Sequence, residues 1–432
     1  MNEHAPRPFT RLDAERMDAR DSLAPVRERF VIPTGETGRA LIYLDGNSLG
    51  HLPHAARERV HRAVDEEWGR DLITSWNRHG WVDLPRTIGA KIAPLVGAEP
   101  DAVRVTDSTS VNLFKVLAAA LALRPDRRRI VSQRGNFPTD LYMAEGLVGL
   151  MGGDRELVTV DEAEEIEAAL DDHTALVMLT QIDYRTGRML DMTALTRLAH
   201  EKGALAVWDL AHSAGAVPVD LAGCGADFAV GCGYKYLNGG PGAPAFVYVA
   251  PKHQGEARNP LSGWFAHAAP FAFEPGFRPA TGADRFLAGT PPVLSMVALD
   301  AALDVWSDID MGAVREKSVR MTDLFVRLVE ERCPTERTEL ELASPRDAER
   351  RGSQVSWRHP HAYAIVQCLI AHDVVGDYRA PLNEGEVGVA RFGFTPLTLR
   401  YTDVWDAVDR LAAIMDERLW DEERFHRRSA VT

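Results

Sequence analysis

The chain is poor in cysteine, in long apolar runs and in net positive charge. Four cysteines stand among 432 residues: Cys224, Cys232, Cys333 and Cys368. None forms a Cys-x-x-Cys pair and no metal-ligand spacing appears, so neither a zinc module nor a disulfide scaffold is expected, and the thiols read as reduced and mostly buried. The longest apolar run, Val116 to Leu123, is far too short to cross a bilayer. No apolar signal segment opens the sequence, which makes a cytoplasmic protein the expectation. Lysine and arginine number 49 against 63 acidic residues, a net charge of −14. With no basic patch or basic helix to offset that balance, nucleic acid and membrane surfaces are poor partners. Internal repeats and low-complexity segments are also lacking.

What is present is an ordinary globular composition, 45% hydrophobic and 26% charged, in a chain long enough for a large core. Short apolar runs at 103–106, 129–132, 175–181, 204–207, 228–230 and 245–249 read as strands. Helical patterns at 111–123, 141–150, 162–170 and 193–202 separate most of them. Strands alternating with helices predict an α/β fold with a mainly parallel, doubly wound sheet. Further helices are expected at 54–68, 88–96, 293–306 and 314–333. Beyond Thr338 the pattern changes. Strands at 355–357, 364–369 and 387–394 and a helix over 401–419 predict a smaller α+β domain. The first forty or so residues read as a charged arm with a polar helix at 11–20 and a loop at Pro33–Gly38. Two aromatic stretches, 71–85 and 260–292, read as loops. The expected division is an arm and small-domain segment over 1–55, a large domain over 56–306, and a small domain over 307–432.

One stretch organises the rest. The apolar run 204–207 delivers Asp209 at its end, and the run 228–230 delivers Lys235 just past its end, in the glycine-rich turn Gly233-Tyr234-Lys235-Tyr236-Leu237-Asn238-Gly239-Gly240. Ligands of open α/β sheets bind beyond the carboxyl ends of the strands. A lysine between two tyrosines there is poorly placed for a solvated surface charge. A partly buried lysine can serve as a nucleophile or Schiff-base former. A lysine paired with an acid suggests pyridoxal phosphate, whose aldehyde takes the amine and whose pyridine nitrogen takes the carboxylate. A generic nucleotide-binding α/β domain remains the alternative on this geometry alone. Asp107-Ser108-Thr109-Ser110 precedes a strong helix. Hydroxyls there are caps first, and phosphate ligands second.

Taken together, Asp45-Gly46-Asn47-Ser48-Leu49-Gly50, Phe137-Pro138-Thr139-Asp140, Asp209-Leu210-Ala211-His212, Tyr234-Lys235 and Arg391-Phe392-Gly393-Phe394-Thr395-Pro396 resemble the kynureninase family, in order and over nearly the whole chain. The resemblance implies a pyridoxal-phosphate-dependent, transferase-like fold of type I. It implies hydrolytic Cβ–Cγ cleavage of L-kynurenine, and of its ring-hydroxylated analogue, to an anthranilate and L-alanine in tryptophan catabolism. It implies that Lys235 carries the cofactor, Asp209 pairs with the pyridine nitrogen and His212 lies beside it. Phe137 stacks on the ring, with Pro138, Thr139 and Asp140 completing that turn. Thr109, Ser110 and Tyr234 hold the phosphate, and Tyr234 is a candidate proton donor in catalysis. Trp264 and Thr290 reach the cofactor from the other subunit of a homodimer. Ser48, His79 and Arg391 contact substrate, Arg391 through the α-carboxylate. Some relatives carry Asn where this chain has Thr290, and the shorter side chain leans toward unhydroxylated kynurenine. Singly, Phe137 reads as core, His212 as a buried histidine and Trp264 as packing; their joint order argues otherwise.

Three rivals are weaker. A cysteine desulfurase or selenocysteine lyase needs a reactive cysteine in a late loop, and 260–292 has none. A cofactor-binding regulator needs a DNA-binding module for which this acidic chain has no room. A nucleotide-binding reading of Gly239-Gly240-Pro241-Gly242 lacks the trailing Gly and Lys patterns of known phosphate loops.

Overall fold

Residues 7–36 and 38–428 are described by the computed structural model of the protein. The first six residues of the expected arm, and Thr37 of the expected Pro33–Gly38 loop, lie outside the described residues. Two compact units emerge: Leu52–Tyr184 with Met189–Met311, and Met1–His51 with Arg185–Arg188 and Gly312–Thr432.

The larger unit is built on a seven-stranded sheet. Its order is Val103–Val105, Ala245–Val249, Phe228–Cys232, Leu205–Asp209, Thr174–Thr180, Arg129–Gln133 and Glu156–Val160. Pairing is parallel except around Ala245–Val249, which runs antiparallel to both neighbours. Every residue of Thr174–Thr180, Leu205–Asp209, Phe228–Cys232 and Ala245–Val249 is buried. That explains their continuous Val, Ala and Leu content in place of alternation. Leu113, Val116 and Leu117 of the helix Thr109–Ala122 share one core with Val207, Phe228, Val230 and Val247. The half-buried edge strand Glu156–Val160 gave no continuous apolar run and was not expected. The stretch 71–85 is not the expected open loop but a chain of short helical turns leading into the helix Leu84–Ile92.

The smaller unit has a four-stranded antiparallel sheet, ordered Asp377–Arg379, Val389–Gly393, Gln354–Arg358 and Glu341–Leu342. A parallel pair joins Ile42–Tyr43 to Val374–Val375. Its core gathers Phe325 of the helix Met311–Arg332, Phe392 and Phe394, and Val404, Val408 and Leu411 of the helix Tyr401–Asp416. The strand expected at 364–369 is a helix, Ala362–Ala371. Its unbroken apolar run carries no period to distinguish the two, and burial on most sides of a helix produces the same run. Cys368, buried on it, is free.

One fully buried charge fastens the large sheet. Asp227, just before the Phe228–Cys232 strand, accepts the Ala206 N–H and the His200 ring on one oxygen, each at 2.7 Å, and faces His253 and Lys252 on the other, also at 2.7 Å. Burial works to raise its carboxyl, but the bonds from His200, His253 and Lys252 prevail and hold it well below the usual carboxylate range. A depressed carboxylate stabilises the fold above its unfolded value, and that contribution is lost as pH falls through the folded one. Asp227→Ala should therefore cost roughly 3 kcal/mol at neutral pH. Urea unfolding at stepped pH checks this: below about pH 4 wild type should lose stability more steeply than the variant. Equal acid slopes would remove Asp227 from that role.

Candidate active site

Two neighbouring strands of the large unit end on the chemistry. Leu205–Asp209 terminates in Asp209, and Phe228–Cys232 runs through Gly233 and Tyr234 to Lys235. The turn closes tightly: Gly239 N–H donates to the Gly233 carbonyl at 2.8 Å, and Asn238 adopts φ +60°. A side chain at Gly233 has no room, because its Cβ would lie 2.5 Å from the Pro244 carbonyl oxygen. Lys235 is thereby set in the interior, 9% exposed, its Nζ 3.2 Å from His212 Nε2. The amine lies 5.9 Å from the Phe137 ring centre and 5.8 Å from that of Tyr234.

Phe137 stands at the start of the helix Pro138–Met151, with proline at the first position, where its missing N–H costs nothing. Asn136 Oδ1 accepts the Phe137 N–H at 2.7 Å and the Thr180 hydroxyl, so the turn is tied to the end of the Thr174–Thr180 strand. Tyr184 meets the Phe137 ring edge-on, centres 5.1 Å apart. Thr139 lies in the first turn, and Asp140 points inward, 1% exposed, with the Thr180 hydroxyl 3.4 Å away.

Asp140 and Asp209 form a buried acid pair. Burial, then the charge of Asp209, push the Asp140 carboxyl well up, so it holds a proton and donates it toward Asp209. Burial also raises Asp209, against the pull of Lys235, the Ala211 N–H at 2.7 Å and the Asp140 hydrogen bond. Asp209 is thus the ionised member. Tyr234 is raised by burial and stays a neutral phenol, a donor.

The Val103–Val105 strand leads through Asp107, at φ +46°, to the helix Thr109–Ala122. Ser108 is the cap, accepting from Val111 N–H at 3.3 Å, which leaves Thr109 and Ser110 in the first turn. The turn is braced by Lys115, a lysine with no exposed side chain. It donates to Asp107 Oδ2 and to the Phe286 carbonyl, each at 2.6 Å. Trp264 Nε1 donates to the Thr290 hydroxyl at 3.3 Å, beside the exposed Phe271 and Phe273. His79 is bonded to Asp71 at 2.7 Å, a cluster of its own within this unit.

In the smaller unit Arg391, 1% exposed, is bonded through one nitrogen to Ser48 Oγ at 2.7 Å and to Asp377, which also takes Arg379 at 2.5 Å. The structure thus groups Lys235 with Asp209, His212, Phe137, Asp140 and Tyr234, Trp264 with Thr290, and Ser48 with Arg391. Tyr184, Asp377 and Arg379 were missed by the sequence reading. None carries a motif: Tyr184 meets Phe137 from the loop beyond the Thr174–Thr180 strand, and Asp377 and Arg379 are set beside Arg391 by the pairing of Asp377–Arg379 with Val389–Gly393. Among the described residues no group of His, Cys, Asp and Glu is suited to a metal, and no helix is long and apolar enough to cross a membrane.

Solved structures with this fold include a C-DES mutant with glycine covalently linked to its pyridoxal-phosphate cofactor. It has a TM-score of 0.74 at 19% identity, covering 86% of this chain and 96% of that one. A cysteine desulfurase from Escherichia coli has a TM-score of 0.73 at 20% identity, covering 92% and 98%. A strand-end lysine, a buried ionised acid on the neighbouring strand and an aromatic ring beside them, on this sheet, define a pyridoxal-phosphate enzyme of fold type I. Among curated proteins, kynureninases from Burkholderia mallei and Pseudomonas fluorescens are 52% and 51% identical to it, each over 98% of this chain and all of theirs. The kynureninase C-terminal domain profile matches residues 314–411. The chain belongs to the kynureninase family.

The crowding at Gly233 gives a direct test. Gly233→Ala should displace the Lys235 turn and weaken cofactor retention at least about tenfold, or ~1.4 kcal/mol, read by absorbance during dialysis. Retention equal to wild type would show that the turn tolerates the shift.

Proposed function

We propose that the protein is a pyridoxal-phosphate-dependent hydrolase that cleaves the Cβ–Cγ bond of L-kynurenine to anthranilate and L-alanine. The observation that carries this reading is 52% identity over the full length of a kynureninase, on a chain that retains the buried lysine–carboxylate pair. The donor set fits the cofactor: an amine for its aldehyde, an ionised carboxylate for its ring nitrogen, an aromatic face, and hydroxyls with free N–H groups at a helix start for its phosphate. When bound, pyridoxal phosphate supplies an electron sink for charge developing at the substrate Cα and Cβ.

The chain's own residues do the rest. Lys235 would hold the cofactor through its amine, and the same amine, when free, would take the substrate Cα proton as general base. Its neighbour His212, with Nε2 3.2 Å from that amine, orients it. Asp209, ionised, keeps a proton on the ring nitrogen. Asp140, Pro138 and Thr139 fix the turn from which Phe137 covers the ring. Thr109 and Ser110 bind the phosphate, joined by the neutral phenol of Tyr234, which also delivers a proton to the β-carbon after cleavage. Ser48, His79 and Arg391 bind substrate, with the forked guanidinium on the α-carboxylate. The protein works as a homodimer in which Trp264 and Thr290 of one subunit serve the other's site, and we place it in the cytoplasm. The desulfurase reading is not favoured: the loop 260–292 holds no cysteine, and Cys368 is buried in a helix.

Purified protein given L-kynurenine should produce anthranilate fluorescence, and borohydride should fix the cofactor on Lys235. Peptide mapping to another lysine would sink the assignment. For the shared site, Lys235→Ala and Trp264→Ala chains, each impaired alone, should recover about a quarter of wild-type activity after subunit exchange. No recovery after verified exchange would place Trp264 in its own chain's site.

A further inference from the structure

The substrate arginine already has two carboxylates. Asp377, 3% exposed, lies directly on the Arg391 guanidinium and shares its charge with Arg379. Asp45, in the turn after Ile42–Tyr43, is the looser partner: its Oδ1 is 3.6 Å from the same nitrogen and its side chain is 15% exposed. Asn47, with its amide oriented to satisfy both ends, bridges Asp45 Oδ1 and Arg391 Nε at 3.2 Å each. The turn is closely packed. A Cβ at Gly393 would sit 2.0 Å from the Asn47 side-chain amide, and one at Gly46 would sit 2.2 Å from the Thr395 methyl.

The charges of Asp45, Asp377, Arg379 and Arg391 cancel. A ligand carboxylate added to them leaves one uncompensated negative charge in a largely dry place, which is costly. Neutralising one acid restores balance, and Asp45 is the one that can take a proton at little cost. Burial pushes its carboxyl up, to about 7, with Asp377 adding to the rise and Arg391 opposing it. The other titratable neighbours stay neutral there: burial raises the Tyr43 phenol, and burial lowers His51, edge-on to Tyr43, to about 4.

We infer that Asp45 is a specificity-determining residue that competes with the substrate's α-carboxylate for Arg391 and withdraws by taking a proton from solvent, so that carboxylate binding draws in one proton. This rests on Arg391 being the carboxylate site. An uncharged ligand gains nothing from the exchange, so Asp45 sharpens selection for acids over esters and amides.

The probe is β-benzoylpropionate, which keeps the aryl ketone and carboxylate of kynurenine and lacks its amine, so no amine proton confuses the count. Calorimetry on the holoenzyme, in buffers of different ionisation enthalpy, reads affinity and proton uptake from about pH 6 to about pH 8.5, either side of the Asp45 value. Wild type should take up nearly one proton per site at the upper end, and its affinity should fall by up to about tenfold per pH unit there. Asp45→Asn should bind more tightly at the upper end, with a flat profile and no uptake, while the methyl ester of the probe should show neither effect. Wild-type binding without proton uptake overturns the inference, whatever the variant's folding. So does an Asp45→Asn variant with wild-type slope and uptake. If Arg391→Lys binds the probe as wild type does, the carboxylate assignment itself has failed, a result distinct from both.

Discussion

An ionised carboxylate held out of water is the constraint on which the large unit's site depends. Asp209 is 3% exposed, and an uncompensated charge there would cost several kcal/mol. The compensation comes from different parts of the chain: the Ala211 N–H two residues on, the Lys235 amine from the next strand, and the Asp140 proton from the helix after Phe137. These meet only because 129–133, 174–180, 205–209 and 228–232 lie side by side in the sheet. The parallel sheet is therefore the means of keeping one acid charged and its neighbour neutral beside Lys235.

The two units use carboxylates differently. Around Asp209 the second acid, Asp140, is pushed toward its neutral form by burial and by the charge of Asp209. Around Arg391 the acids hold a cation in place along the strand Val389–Gly393, which fixes the guanidinium while leaving it with more negative neighbours than it needs. One arrangement isolates a charge; the other shares it.

The fold and the core of the site were legible where sequence and burial are linked by simple rules. Runs such as 204–207 and 228–230, closed by a polar residue and a glycine turn, mark buried strands with Asp209 and Lys235 beyond their ends. The same rule misleads at 364–369, because a helix buried on most sides leaves the same run. The stretch 71–85 hid its short helical turns behind aromatic residues that usually mark loops, and half-buried 156–160 had no pattern to show. Asp377 was unreadable for another reason. Its importance lies in the cross-strand register that puts it opposite Arg391, and no local spacing encodes that.

Lys115 carries this last point further. One of its bonds goes to the Asp107 side chain and the other to the backbone carbonyl of Phe286, so it ties the helix start that bears Thr109 to the loop that bears Thr290. A carbonyl is present whatever residue stands at 286. In any record of paired substitutions Lys115 would move with position 107 and never with 286, although both contacts hold it. The link between the Thr109 turn and the Thr290 loop is thus mechanical but silent to co-variation, and only one of its two ends can be lost by mutation of the partner side chain.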